Sequence, residues 1–165
     1  MSIVLFRIDE RLIHGQVVIG WGHQLRPDRY VIVDDALAAS EWEQSLYRLG
    51  AAGADVLFVT AAEARDRLDE WRAARERSIL LTRDVATMRR LAEGGLLRGE
   101  TVNLGGIHHG PERAEVLTYV HVTEAEKRDL EAIAAAGAEV SARELPDSHG
   151  VSLQTLMRGR WNSSR

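Results

Sequence analysis

The strongest constraint on this chain is an alternation. Short runs of β-branched and apolar residues recur as SIVLFRI, RYVIVDD, ADVLFVT, SILLT, ETVNLGG, EVLTYVHV and AEVSARELP, and most of the stretches between them carry helical spacing. Alternation at this scale is solved by helices packed on a mostly parallel sheet. Several runs are apolar at consecutive positions, as strands covered on both faces should be. The sequence therefore predicts an α/β fold: a single domain over residues 1–165 with a central, mainly parallel β-sheet of about seven strands, flanked by helices on both faces.

The helix starts are legible. SEWE (Ser40 to Glu43), TAAE (Thr60 to Glu63) and TEAE (Thr123 to Glu126) each set a hydroxyl residue three positions before a glutamate, the spacing of a capping box. Asp84 can cap the next helix, and Gly94, Gly95 and Gly137 suit helix ends. One helix lacks such a device. In GQVVIGWGHQL, Val17, Trp21 and Leu25 stand four apart as a buried stripe, but LIHG before it offers no Ser, Thr, Asp or Asn as a cap. Its first N–H groups are thereby left for another partner, and a free helix start after a parallel strand attracts anions. The tail RWNSSR should fray, with Trp161 able to dock.

Composition excludes several classes. The chain has no cysteine, which removes disulfides, thiolate metal sites and cysteine nucleophiles together. A formal charge of -4 gives no general attraction to nucleic acid. Arginines 65, 67, 72, 75 and 77, interspersed with acids, read as a mixed solvated helical face. No apolar stretch is long enough to span a bilayer and no signal peptide is visible, so a cytoplasmic location is expected.

The chemistry concentrates in RIDERLIHGQV, residues 7–17. In open parallel sheets ligands gather beyond the carboxyl ends of strands, and both this segment after the first strand and NLGGIHH after the fifth occupy such an edge. His14 offers an imidazole that can serve as nucleophile, base or ligand. Arg7 and Arg11 can hold phosphoryl oxygens in fork geometry, and Asp9 can orient the ring or an arginine. Together they suggest phosphoryl transfer through a phosphohistidine. The alternative is a structural histidine beside a solvated Arg7–Asp9 pair.

Other motifs are weaker. VIVDD resembles the acidic pair of response-regulator receivers, but the only lysine, Lys127, lies in a helical segment, so Asp34 and Asp35 read as loop and capping residues. Adjacent His108 and His109 are poorly spaced for one metal ion and read as a rim. His23, His121 and His149 read as structural or exposed. NLGG matches neither GxGxxG nor a phosphate loop; its glycines permit close backbone approach.

At RIDERLIHGQV the sequence resembles the IIB component of the mannose/fructose/sorbose family of the bacterial sugar phosphotransferase system (PTS), and the likeness continues through VIVDD, ADVLFVT, LAEGG, VNLGG, LEAIAAAGAEVSARELP and VSLQTL. The resemblance implies that His14 is phosphorylated on Nδ1 by a IIA-type phosphohistidine donor and passes the group to a sugar carried by membrane IIC and IID subunits. Arg7, Asp9 and Arg11 fall on the family's charged positions, and Asn103, Gly105 and Gly106 on its NxGG turn; Gly15 and Gln16, inside the first motif, are expected to bind or shape the phosphate. The lack of cysteine agrees with the histidine-dependent type of IIB. Ile107, where the family often has methionine, and VDDALAAS depart from the pattern and touch sugar and partner specificity. The implied cofactor is none and the implied metal none. The expected setting is the cytoplasmic side of a membrane permease, with a homodimer conceivable. A regulatory phosphoacceptor without sugar transport, or a binding module on the same fold, are the alternative functions.

Overall fold

A computed structural model describes residues 2–163, with side chains through Arg158; the expected docking of Trp161 lies outside the described side chains. Its main sheet has seven strands in the order β3-β2-β4-β1-β5-β8-β9. These are β1 (Ile3–Ile8), β2 (Arg29–Val33), β3 (Asp55–Val59), β4 (Ser78–Thr82), β5 (Thr101–Leu104), β8 (Glu139–Ala142) and β9 (Val151–Ser152). All neighbours pair in parallel except β9, which runs antiparallel to β8 at one edge. The α/β expectation holds, with one exchange of strands. EVLTYVHV, read as one strand of the sheet, turns at Thr118–Tyr119 and forms a separate antiparallel ribbon, β6 (Ala114–Leu117) with β7 (Val120–Val122). The short β9 takes the seventh place.

The sheet is covered on both sides, and its central strands are apolar at most positions. In β2, Tyr30 and Ile32 enter one core while Val31 and Val33 enter the other, and β4 divides in the same way, with Ile79 and Leu81 opposite Leu80. The first face carries the segment of Leu12, Ile13 and Val17 together with α1 (Gly22–Leu25), α2 (Asp35–Ala38) and α3 (Glu41–Leu49). The opposite face carries α4 (Ala61–Ala73), α5 (Val85–Ala92), α6 (Glu124–Ala135) and α7 (Leu153–Ser163). Trp71, fully buried, fills the larger core.

Ser40, Thr60, Asp84 and Thr123 all cap helices as expected, each accepting the N–H three residues on. Only Thr123 and Glu126 form the reciprocal box. Helix α4 ends at Ala73, so Arg75 and Arg77 lie beyond the mixed face on which Arg67 pairs with Glu70 and Arg72 with Asp69.

Candidate functional site

The site begins where β1 ends. β1 lies between β4 and β5, in register Arg7 with Leu81 and Asn103, and Ile8 with Thr82 and Leu104. Chain connections run to opposite sides of β1 from here, so its carboxyl end is a switch point of the topology, where open sheets leave a crevice. The backbone of Asp9 is tied to Thr82 O at 2.9 Å and that of Glu10 to Gly106 O at 2.9 Å, which fastens the loop to both neighbouring strand ends. Leu12 then adopts φ 55°, the left-handed region that costs a non-glycine residue about 1–2 kcal/mol. Complete burial of its side chain holds it there and brings the chain back over the strand edge.

His14 follows, and Gln16–Trp21 form a π-helix that runs on into α1. As expected, this helix start has no side-chain cap; the N–H groups of Val17 and Val18 both return to the His14 carbonyl. Val17 and Trp21 are buried, while Leu25 is half-buried, so the expected stripe fades at its last member.

Asp9 is the centre of the cluster and is fully buried. Its Oδ2 accepts from Arg7 Nε at 3.3 Å, from Arg7 Nη2 at 3.1 Å, and lies 3.1 Å from His14 Nε2. Its Oδ1 accepts the Arg11 N–H at 3.1 Å, and the Gly106 N–H reaches Oδ2 at 3.4 Å. Burial alone pushes the Asp9 carboxyl up, but the His14 hydrogen bond, the Arg7 charge and the Arg11 N–H together hold it below its ordinary value. An ionised carboxylate can only accept, so the neutral imidazole carries its proton on Nε2 and its lone pair on Nδ1.

The two arginines, expected to grip phosphate together, part company. Arg7 is fully buried, and all five of its N–H groups are engaged: those toward Asp9 already named, Nη1 to Asn103 Oδ1 and to Arg143 O at 2.7 Å, and Nη2 also to Glu144 O at 3.2 Å. Its guanidinium stacks 5.3 Å from the Trp21 ring centroid. Desolvation pulls the Arg7 pKa down and Asp9 opposes this. Arg7 therefore has no donor to spare for a phosphoryl oxygen. The sequence alone suggests a phosphate-holding role for Arg7; in this structure its burial beneath Asp9 makes it a fixed counter-charge. Arg11 is the opposite case: its side chain is 43% exposed, Nε lies 3.9 Å from Asp9 Oδ1, and Nη2 donates to Gln16 Oε1 at 3.0 Å.

The NxGG turn supports Arg7. Asn103 accepts from Arg7, as noted, and Gly105 leaves room for the guanidinium: a Cβ there would stand 2.7 Å from Arg7 Nε. Gly106 is under no such pressure, since a Cβ would find only ordinary contacts at 3.7 Å. Gly15 is exposed at the helix start.

The sequence model for the PTS system sorbose subfamily IIB component matches residues 3–163. The chain belongs to this family of IIB components. An N-acetylgalactosamine-specific phosphotransferase enzyme IIB component 1 of Escherichia coli is 30% identical over 147 residues, covering 88% of this chain and 92% of that protein. A mannose-specific EIIAB component of Escherichia coli is 29% identical over 95% of this chain, which spans 49% of that longer protein. Among solved structures, manxB from Thermoanaerobacter tengcongensis superposes with a TM-score of 0.81 at 32% identity, covering 94% of this chain and 95% of that one. The IIB component described here is thus a phosphotransfer component of sugar uptake with the IIB fold. Among its described residues, no helix is long and apolar enough to cross a membrane.

Three parts of this IIB site were not singled out from sequence. Arg143 and Glu144, in the segment after β8, cap Arg7 with their carbonyls, and Glu144 O also accepts from Trp21 Nε1 at 3.0 Å. The signal was available: AEVSARELP ends at the same sheet edge, because β8 adjoins β5. Glu10 anchors the rim loop, accepting from Arg113 Nη1 at 2.5 Å and from the His108 N–H at 3.0 Å, with His108 Nδ1 at 2.9 Å. His108 and His109 are exposed rim residues, and His109 meets His121 edge-on at 5.8 Å. Asp34 caps α2 and is held bidentately by Arg83 at 2.7 and 2.8 Å, while Asp35 accepts the Ala61 N–H, so the acidic pair does capping work as expected.

Proposed function

We propose that this chain takes a phosphoryl group from a IIA protein onto His14 and delivers it to a sugar held by membrane IIC and IID subunits. The observation that carries this reading is the 3.1 Å contact between His14 Nε2 and buried Asp9, which reserves the Nδ1 lone pair for chemistry. The relative that joins A and B components in one chain supports a IIA partner.

In the first step the Nδ1 lone pair of His14 attacks the phosphorus of the donor's phosphohistidine, the N–P bond of the donor breaks, and its imidazole leaves with the electron pair. In the second, a sugar hydroxyl attacks the phosphorus in line, the Nδ1–P bond breaks, and the hydroxyl proton passes to the departing imidazole. Such a loose transition state asks for positioning and neutralisation rather than covalent work. Arg11, exposed and hydrogen-bonded to Gln16 next to Asp9, supplies the positive charge, and the uncapped helix start at Gly15 adds backbone N–H groups. Asp9 holds the ring and, once phosphate loads Nδ1, keeps the proton on Nε2. Arg7 keeps Asp9 ionised. Exposed Ile19, five residues beyond His14, and Trp42, Leu46 and Leu49 on α3 give apolar surface suited to a docking protein.

The test is phosphate uptake from a phosphorylated IIA protein, read by intact mass, with His14→Ala beside the native chain. One added phosphoryl group in the native chain and none in the variant supports the reading. No uptake, or uptake that survives His14→Ala, overturns it.

A further inference from the structure

Arg11 is the one charged group of the cluster free to meet a phosphoryl oxygen, yet its guanidinium is not loose. Nη2 donates to Gln16 Oε1 at 3.0 Å, and Gln16 Nε2 in turn donates to Glu144 Oε1 at 2.9 Å. A guanidinium has no acceptor and a carboxylate no donor, so a glutamine amide between them has a single satisfactory orientation. Its NH2 faces Glu144 and its oxygen faces Arg11. Glu144 is itself fixed: its carbonyl accepts from Trp21 Nε1 at 3.0 Å and Arg7 Nη2 at 3.2 Å. The next residue, Leu145, packs so closely on the helix that a Cβ at Gly20 would stand 2.6 Å from Leu145 Cδ2.

We infer that Glu144 is a positioning residue for phosphoryl transfer: it locks the Gln16 amide so that Arg11 is held beside His14 with its remaining donors outward. The inference rests on the proposed role of His14 and Arg11. Charge alone predicts the opposite of what positioning predicts. A carboxylate near an incoming phosphoryl group repels it, so a bystander Glu144 replaced by glutamine should speed transfer. If Glu144 positions Gln16, the same change frees the amide to turn, because an amide can both donate and accept, and Arg11 loses its fixed acceptor.

The experiment measures single-turnover transfer from a phosphorylated IIA protein to the full chain, comparing native, Glu144→Gln, Gln16→Leu, Arg11→Ala and the doubles carrying Glu144→Gln. The expected result is a roughly fivefold lower maximal rate for Glu144→Gln, the equivalent of one net hydrogen bond, with the donor concentration at half-saturation unchanged. Gln16→Leu should lose about as much, and Glu144→Gln should add nothing in the Gln16→Leu or Arg11→Ala background, since coupled residues are not additive. An equal or faster rate for Glu144→Gln, or a full loss repeated in either background, overturns the inference. If Glu144→Gln misfolds, as circular dichroism would show, Glu144→Asp, which keeps the charge but shortens the reach to Gln16, decides: slower transfer that disappears in the Gln16→Leu background is expected, and an unchanged rate overturns the inference. Absence of transfer to the native chain instead refutes the proposed function, a separate outcome.

Discussion

Replacing Arg7 with lysine keeps the charge and discriminates between two roles for this arginine. In the structure its five N–H groups serve Asp9, Asn103, Arg143 O and Glu144 O from a fully buried position. An ammonium has three donors on one nitrogen and cannot span these partners, so with Asp9 satisfied at least one or two of the other three acceptors are left without a donor. Each stranded acceptor costs about 1–3 kcal/mol, and loss of the stack on Trp21 adds roughly 0.5–1 kcal/mol. The expected destabilisation of Arg7→Lys is therefore about 3 kcal/mol. Urea unfolding followed by tryptophan fluorescence measures it directly: at a slope of about 1–3 kcal/mol/M the midpoint falls by roughly 1–3 M. A loss under about 1 kcal/mol, together with collapse of phosphoryl transfer, would refute the reasoning, because that is how a residue that touches the phosphoryl group directly behaves.

Arg11→Ala gives the complement: transfer slows by a few kcal/mol in barrier, on the scale of one lost oxyanion donor, while the urea midpoint stays within about 0.5 kcal/mol of native. Gly105→Ala drives a Cβ into the buried Arg7 guanidinium and should cost about 1–3 kcal/mol by the same unfolding assay, whereas Gly106→Ala, with contacts at 3.7 Å, should be close to neutral. Acid titration of stability follows from the depressed carboxyls. Asp34, like Asp9, is pushed up by burial but held low overall, here by Arg83 and the Leu37 N–H. Their folded values lie below the unfolded value of about 3.9, so the stability they add is complete above that pH and is lost as pH falls through the folded values. Asp34→Asn should flatten the fall in unfolding midpoint below about pH 4.

Much of this architecture is legible because it is written in local chemistry. Four helix starts show their caps, and strands buried on both faces show as uninterrupted apolar runs. The ribbon of β6 and β7 does not show, because Thr118–Tyr119 turns without glycine, asparagine or aspartate, and β-favouring residues continue across it. β9 is two residues long and is defined by its pairing with β8, not by any pattern of its own. In the site, sequence placed His14, Asp9 and Arg11 in one segment but did not separate Arg7 from Arg11. Strand alternation puts Arg7 and Asp9 on the same side of β1, and burial of that side depends on Arg143 and Glu144, more than 130 residues away in sequence. A separation of 128 residues likewise hides the Glu144–Gln16 contact. Leu12 in the left-handed region carries no sequence mark at all, since the fold around it enforces the strain.

The central claim is that Asp9 holds Nε2 so that Nδ1 of His14 carries the phosphoryl group. The most direct measurement is nitrogen and phosphorus NMR of the imidazole-labelled chain after loading from a phosphorylated IIA protein. The account predicts phosphorus coupled to Nδ1 of His14 with the proton retained on Nε2. Coupling to Nε2, or phosphorus on His108 or another residue, would contradict it.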